Sequence, residues 1–252
     1  MQVVFVKEKQ MACIKKTKTL RAYLIKFAVR LLVFAGVFVL YLTRKDLMHD
    51  LMTQPVVMGV TPLHLLWFMF MVMMIRHIFP TETLSMAFRK AEKKKYDEVT
   101  DYSPRELLEF VKDQNAKGWI VMLIWLVFNA IFGVLYLNGI MDESDLLMLT
   151  VFYFLSDYIC ILFFCPFQSF IMKNRCCVNC RIYDWGHFMM FTPMLFIRNF
   201  YSWSLFFAAC IVLIKWEVIY AKHPERFFYG SNRNLQCANC KDKICQLKKV
   251  VR

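Results

Sequence analysis

The chain has 252 residues, of which 59% are hydrophobic and 17% aromatic, and its formal net charge is +13. Soluble domains carry roughly 45–50% apolar residues, so this composition excludes an ordinary soluble domain and predicts a membrane protein. The basic residues flank the apolar runs, where lysine and arginine set orientation and meet anionic headgroups. We therefore assign the charge to the lipid bilayer and its headgroups and expect no nucleic-acid partner.

The first part of the chain predicts a basic cytoplasmic segment, residues 1–21, followed by two transmembrane helices within residues 22–79. In the first helix Lys26 and Arg30 are four residues apart near the inner end, where long basic side chains reach the headgroups by snorkelling. The second helix is rich in methionine and aromatic residues, and His64 lies one turn from its start. A short outer loop joins the two helices.

Residues 80–118 form the largest polar segment and predict cytoplasmic interfacial helices. Ser103, Pro104 and Glu106 have the order of a capping box with proline at the first helical position. This pattern predicts the start of a short helix over residues 107–114. The segment is too short and too charged to bury a core of its own, so we do not expect a separate domain.

Residues 119–171 predict transmembrane helices three and four, and each carries a polar residue near its middle, Asn129 and Asp157. A carboxylate at mid-depth costs several kcal/mol unless it is paired, protonated or hydrated, so Asp157 is a candidate for a proton or cation pathway. The alternative is a structural aspartate that is hydrogen-bonded between helices. We expect Asn129 or Arg198 as its partner, with His64 as a further member of the polar path.

Residues 172–252 predict a transmembrane hairpin flanked by cysteines and followed by a cytoplasmic tail. The limbs cover about residues 182–197 and 201–220, with Arg198 at the turn. The first limb has 16 residues, fewer than the roughly 20 that cross a bilayer. The alternative is one kinked helix over residues 187–213, which would place Arg198 at mid-membrane and the basic tail outside. Both consequences are unfavourable, so we prefer the hairpin.

Six spans place both chain ends on the same side of the membrane, and the basic residues test this arrangement. The segments on that side carry 26 lysine and arginine residues, whereas the outer loops carry 3. The positive-inside rule then places both termini in the cytoplasm. The predicted fold class is an all-α, polytopic helical membrane protein with about six transmembrane helices, short cytoplasmic interfacial helices and a cytoplasmic cysteine-rich metal-binding region.

Two Cys-x2-Cys pairs flank the hairpin and predict a metal site. Each pair directs two sulfurs at one ion, and two pairs complete the tetrahedral thiolate set of a structural zinc site. A reducing compartment disfavours disulfides between them. Arg181 and Lys241 follow the pairs and are expected to offset the negative charge of four thiolates. The predicted ligands are Cys177, Cys180, Cys237 and Cys240, with Cys176, Cys245 and His187 as alternates.

Other interpretations of the cysteines stay open. An iron–sulfur cluster is the alternative cofactor, although the closely spaced cysteine run of ferredoxins is absent; disulfides and unligated thiols are further alternatives. No catalytic motif is present in the sequence, so we favour a zinc-binding membrane protein with a non-enzymatic scaffold or assembly role. The alternatives are a transporter or proton or cation pathway that uses Asp157, and an iron–sulfur membrane redox protein.

Overall fold

The structure is a computed structural model, and it describes residues 17–46, 62–79, 93, 96–174, 179–240 and 242–251. Within these ranges the chain is 81% helical and has no β-strand, which confirms the predicted all-α class. Four of its helices, α1, α3, α4 and α6, are long and apolar enough to cross a membrane, and α2 is a shorter apolar helix. In chain order the helices are α1 (Lys18–Thr43), α2 (Pro62–Ile78), α3 (Pro104–Leu137), α4 (Glu143–Leu162), α5 (Gly186–Phe191), α6 (Phe200–Lys222) and α7 (Cys245–Val251).

Helix α3 runs without a break through 34 residues. Ser103 caps it by accepting a hydrogen bond from a backbone N–H of the first turn, and the proline that follows suits that turn. The prediction of a separate short helix over residues 107–114 is therefore wrong, because that segment is the first part of α3. Gly118 lies between the predicted short helix and the predicted third span, where a break is expected. The helix continues through it because a glycine costs only about 1 kcal/mol relative to alanine in a helix. The Arg181 side chain packs over it.

Helix α4 ends at Leu162, well before the predicted end of the fourth span at residue 171. Pro166 accounts for the difference. It has no N–H to donate to the carbonyl of Leu162, and its ring would clash with that carbonyl if the helix continued. The chain proceeds instead through a π-helical turn, Phe167–Ile171, which packs against α3.

The first limb of the predicted hairpin is helical throughout, although only its middle part, α5, is an α-helix. One 3₁₀ segment, Arg181–Trp185, precedes α5 and another, Thr192–Phe196, follows it. The rise per residue is about 2.0 Å in a 3₁₀-helix and about 1.5 Å in an α-helix, so the limb reaches roughly 29 Å. An α-helix with the same number of residues would reach about 24 Å, which is shorter than the roughly 30 Å thickness of the hydrocarbon core. The 3₁₀ segments therefore lengthen the limb by about 5 Å relative to an α-helix.

This limb forms the centre of the bundle. It packs against α3, α4 and α6 and buries Phe188, Phe191 and Pro193. Trp125 of α3 donates a 3.0 Å hydrogen bond to the Thr192 hydroxyl, which in turn donates to the carbonyl oxygen of Phe188. Helix α1 packs chiefly on α4, and α2 packs chiefly on α6. Many apolar side chains on the outer faces of α1 and α2 stay exposed, as a lipid environment requires.

The start of α1, the segment after α4 and the C-terminal tail meet at one end of the bundle, which we call the tail-side end. The hydroxyls of Thr17 and Thr19 donate to the backbone and side-chain oxygens of Asp242, at 2.8 and 2.9 Å. The side-chain amide of Asn179 donates to the carbonyl oxygen of Leu235 at 3.3 Å. The segments before and after the hairpin therefore meet, as the hairpin interpretation requires.

Candidate functional site

An ion pair joins Arg30 of α1 to Asp157 of α4. The Nη1 atom of Arg30 lies 2.9 Å from the Asp157 Oδ2 and donates a 2.6 Å hydrogen bond to the carbonyl oxygen of Phe154. The guanidinium carbon lies 4.0 Å from the ring centroids of Phe154 and Tyr158. Cation–π contacts of this kind contribute about 2 kcal/mol when the cation is desolvated. The expectation that Arg30 reaches the headgroups is therefore wrong, because these partners hold it between the helices.

The structure does not pair Asn129 with Asp157. Asn129 is fully buried within α3, and its amide donates a 2.9 Å hydrogen bond to the carbonyl oxygen of Trp125. Its side-chain oxygen accepts a 3.2 Å hydrogen bond from the Tyr153 hydroxyl of α4. Asn129 thus satisfies its own polar groups and links α3 to α4, which is a structural role.

The other two predicted members of the polar path lie near the hairpin turn, at the far end of the bundle from the tail. Arg198 is exposed in that turn. His64 is hydrogen-bonded through its ring to the hydroxyl of Tyr201, in the first turn of α6. The continuous path through Asp157 that the sequence predicts is therefore not formed by these residues.

A cavity of about 580 Å³ reaches the Arg30–Asp157 pair from the tail-side end. Gly186, at the start of α5, faces the carboxylate so closely that a Cβ atom there would lie 2.9 Å from Asp157 Oδ1. The rings of His77 and His187 meet edge to face in the cavity lining, with centroids 4.6 Å apart. The structure therefore gathers an ion pair and two histidines from α1, α2, α4 and α5.

The part of the cavity toward the tail-side end is basic, and we call the whole cavity the basic funnel. Its charged lining residues are Lys18, Lys26, Arg30 and Arg76, together with Asp157 and Asp184. The lining begins at Lys18 and reaches Arg30, which corresponds to about 18 Å along α1. Lys26 and Arg76 are exposed, whereas Asp184 is buried. An anion that enters from the tail-side end meets these exposed cations first.

Sequence reasoning missed this gathering of residues. The sequence predicts no functional role for His77, and it predicts His187 only as an alternate zinc ligand, yet the two rings contact each other in the funnel. One usable signal exists, because ionisable residues inside transmembrane segments usually pair with one another. Arg30 and Asp157 are oppositely charged residues placed inside the first and fourth predicted spans, and that rule would have joined them.

Arg181 directly follows the first cysteine pair and turns into the bundle. Its guanidinium pairs with the carboxylate of Glu217, which also accepts a 2.8 Å hydrogen bond from Trp185 Nε1. The guanidinium carbon lies 4.5 Å from the ring centroid of Tyr220, and 10% of the side chain is exposed. Arg181 therefore has Glu217 as its charged partner in the structure, and the expectation that it offsets thiolate charge stays a prediction.

The structure places part of the predicted cysteine site. Cys176 and Cys177 lie outside the described residues. Cys180 is buried, Cys240 and Cys245 are half-buried and Cys237 is exposed. Among the residues that the structure describes, no three His, Cys, Asp or Glu side chains gather in a geometry that would hold a metal ion. The hydrogen bond from Asn179 to Leu235 nevertheless brings the segment next to Cys180 into contact with the segment that precedes Cys237.

The described residues thus form a helical bundle with four helices long and apolar enough to cross a membrane and a polar cavity between its helices. No protein-family model matches the chain, and no curated protein or solved structure is significantly similar to it. Its function is therefore argued from the tail, the cysteines and the funnel.

Proposed function

We propose that this is a six-span integral membrane protein with both termini in the cytoplasm and a non-enzymatic scaffold or assembly role. In this proposal zinc holds the hairpin to the tail, and the four thiolate ligands are Cys177, Cys180, Cys237 and Cys240. The observation that carries the proposal is the contact between the two cysteine-bearing loops, in which Asn179 donates to the carbonyl oxygen of Leu235.

Backbone contacts of the tail support a platform at the tail-side end. The N–H of Val99 donates to the carbonyl oxygen of Ser231 at 3.0 Å, and the N–H of Arg233 donates to that of Asp97 at 2.8 Å. With the contacts to α1 described above, the tail is bound to segments from distant parts of the sequence. A tail segment this short buries little hydrophobic core of its own. In such a segment a bound structural metal contributes free energy to folding.

The orientation of the platform follows from its basic residues, which the positive-inside rule assigns to the cytoplasm. We expect an Arg198→Cys variant to react with a membrane-impermeant maleimide on intact cells. A Lys222→Cys variant, at the exposed end of α6 and not a proposed ligand, should react only after the membrane is permeabilised. Reaction of that variant in intact cells would contradict the proposed orientation and favour the five-span alternative.

Metal content tests the zinc site directly. We expect one zinc ion per chain and no visible absorbance in protein purified anaerobically in detergent. Cys180→Ser and Cys240→Ser should each remove the zinc, whereas Cys210→Ser, in helix α6, should retain it. Iron with a visible charge-transfer band would replace the proposal with the iron–sulfur alternative. Protein without metal, or zinc that survives both substitutions, would overturn the site.

One observation favours a second candidate function, a pathway through Asp157. The basic funnel reaches this carboxylate and brings His77 and His187 beside it. Arg30 neutralises the carboxylate, which disfavours a metal cation, whereas the two histidines are side chains that exchange protons near neutral pH. A proton is therefore the proposed species. Proton flux into liposomes that contain the purified protein should fall in Asp157→Asn. Undiminished flux in that variant, or no flux in the wild type, would remove this candidate.

A further inference from the structure

We propose that the basic funnel binds a phosphate-bearing anion, and this inference does not depend on the zinc site. The charge of the lining is the first argument, since four lysine and arginine residues face two aspartates. Arg30 and Asp157 neutralise each other. The excess positive charge therefore lies toward the tail-side mouth, at Lys18, Lys26 and Arg76.

The hydrogen-bonding groups inside the funnel are the second argument. Arg30 uses Nη1 for both Asp157 and the carbonyl of Phe154. Within the described residues its Nε and Nη2 groups make no further hydrogen bond, and a guanidinium fork of this kind matches phosphate geometry. The ring nitrogens of His187 likewise make no hydrogen bond to a described residue. The funnel thus ends in donors that a phosphate can satisfy.

The size of the funnel is the third argument. A volume of about 580 Å³ falls within the roughly 300–1,000 Å³ of small-molecule pockets. Such a space exceeds what an inorganic phosphate ion fills, which favours an organic phosphate ester as the ligand. Ordinary phosphodiester headgroups carry one negative charge, whereas a phosphomonoester carries up to two. The excess of cations at the mouth favours the monoester.

Two sources of a phosphomonoester fit the shape of the funnel. Helices α1 and α2 both line it, yet they pack on different partners, and no comparable packing joins them among the described residues. The acyl chains of a lipid can leave through the side between these helices. The mouth at the tail-side end equally admits a water-soluble phosphate ester. The chemistry of recognition is the same in both cases.

The test uses the full chain, purified in detergent. Phosphatidic acid, a phosphomonoester lipid, and phosphatidylglycerol, a phosphodiester lipid with one negative charge, serve as the lipid probes, with binding measured by native mass spectrometry. Glycerol 3-phosphate serves as the soluble probe, with binding measured by calorimetry. The variant is Lys26→Gln with Arg76→Gln, since both side chains are exposed and the ion pair stays intact. The matched control is Arg105→Gln, another exposed basic residue, at the start of α3 and outside the funnel lining.

We expect wild-type protein to prefer one of the two phosphomonoesters, with affinity reduced at least about tenfold in the double variant and unchanged in the control. Preference for phosphatidic acid over phosphatidylglycerol assigns the ligand to the bilayer, and binding of glycerol 3-phosphate assigns it to the aqueous phase. Equal losses in variant and control would reduce the effect to general surface charge and overturn the proposal. Failure to bind either phosphomonoester would overturn it as well. An unchanged melting temperature of the ligand-free variant verifies that it folds.

Discussion

Lys248 in the tail donates a 2.6 Å hydrogen bond from its Nζ atom to Oε1 of Gln168, which lies in the π-helical turn after α4. Both residues are buried, with 8% of Lys248 and 3% of Gln168 exposed. The amide nitrogen of Gln168 donates in turn to the carbonyl oxygen of Asn174. One glutamine therefore connects the tail to the segment that leads into the first cysteine pair.

Replacing Lys248 by methionine should loosen the tail. The change leaves the side-chain oxygen of Gln168 buried without this donor, a loss that costs about 1–3 kcal/mol. We expect faster proteolytic removal of the tail and a lower melting temperature than in the wild type. Lys222→Met, an exposed lysine at the end of α6, is the control and should change neither measurement. Equal behaviour of the two variants would contradict a docked tail.

The Arg30–Asp157 pair should show strong coupling in a double-mutant cycle. Arg30→Leu leaves a carboxylate without its counter-ion, and Asp157→Leu leaves a guanidinium. The pair is partly buried, with 12% and 29% of the two side chains exposed, so each change should cost less than the roughly 3–5 kcal/mol of a fully buried pair. The double variant should be less destabilised than the sum of the single variants, because neither charge is left uncompensated. Unfolding in mixed detergent micelles measures the three free-energy changes. Additive single effects would show that the two side chains do not interact.

Two glycines in apolar helices should respond in opposite directions to alanine. A Cβ atom at Gly133 of α3 would clash with the Phe196 ring, whereas one at Gly36 of α1 meets nothing within 4 Å. At Gly133 the added methyl group would overpack the core, which lowers the free energy of unfolding by about 1–3 kcal/mol. At Gly36 alanine is the better helix former, which raises the free energy of unfolding by about 1 kcal/mol. Thermal unfolding should therefore show Gly133→Ala below the wild type and Gly36→Ala at or above it. Stabilisation by both would indicate that α3 and the central limb are not in close contact.

Cys165 should react as a thiolate at lower pH than an ordinary cysteine. A hydrogen bond from the Cys160 thiol, a 3.4 Å hydrogen bond from the backbone N–H of Gln168 and the charge of Lys248 hold the pKa of the Cys165 thiol below its usual range. Its alkylation rate should therefore reach half its maximum below the roughly pH 8.5 of a free thiol. This rate is measured against pH by mass spectrometry.

Cys160→Ala provides the matched control for this titration. It removes the thiol donor and should move the half-maximum of Cys165 alkylation to higher pH, because the thiolate loses its main stabilising contact. Lys248→Met should move it in the same direction by a smaller amount, since charge at a distance ranks below the direct hydrogen bond. A profile that neither substitution changes would contradict this origin of the lowered pKa.

The all-α class could be predicted because apolar runs and their basic flanks are local signals. Helix pairing is not local. Arg30 and Asp157 are 127 positions apart, and their contact depends on α1 packing against α4. The 3₁₀ character of the central limb is also set by its neighbours, since α3, α4 and α6 enclose it on several sides. The predicted zinc site stays a prediction, because Cys176 and Cys177 lie outside the described residues.

The mixed helical form of the central limb has a consequence for the order in which the membrane protein is built. The limb carries Asp184 and His187 near its start, and ionisable residues raise the free energy of transfer into lipid. It is therefore poorly suited to enter the bilayer as an independent helix. Its stable position depends on α3, α4 and α6, and α6 is synthesised after it. In the six-span arrangement proposed above, insertion of this limb must therefore wait until α6 emerges, and the two enter as one unit.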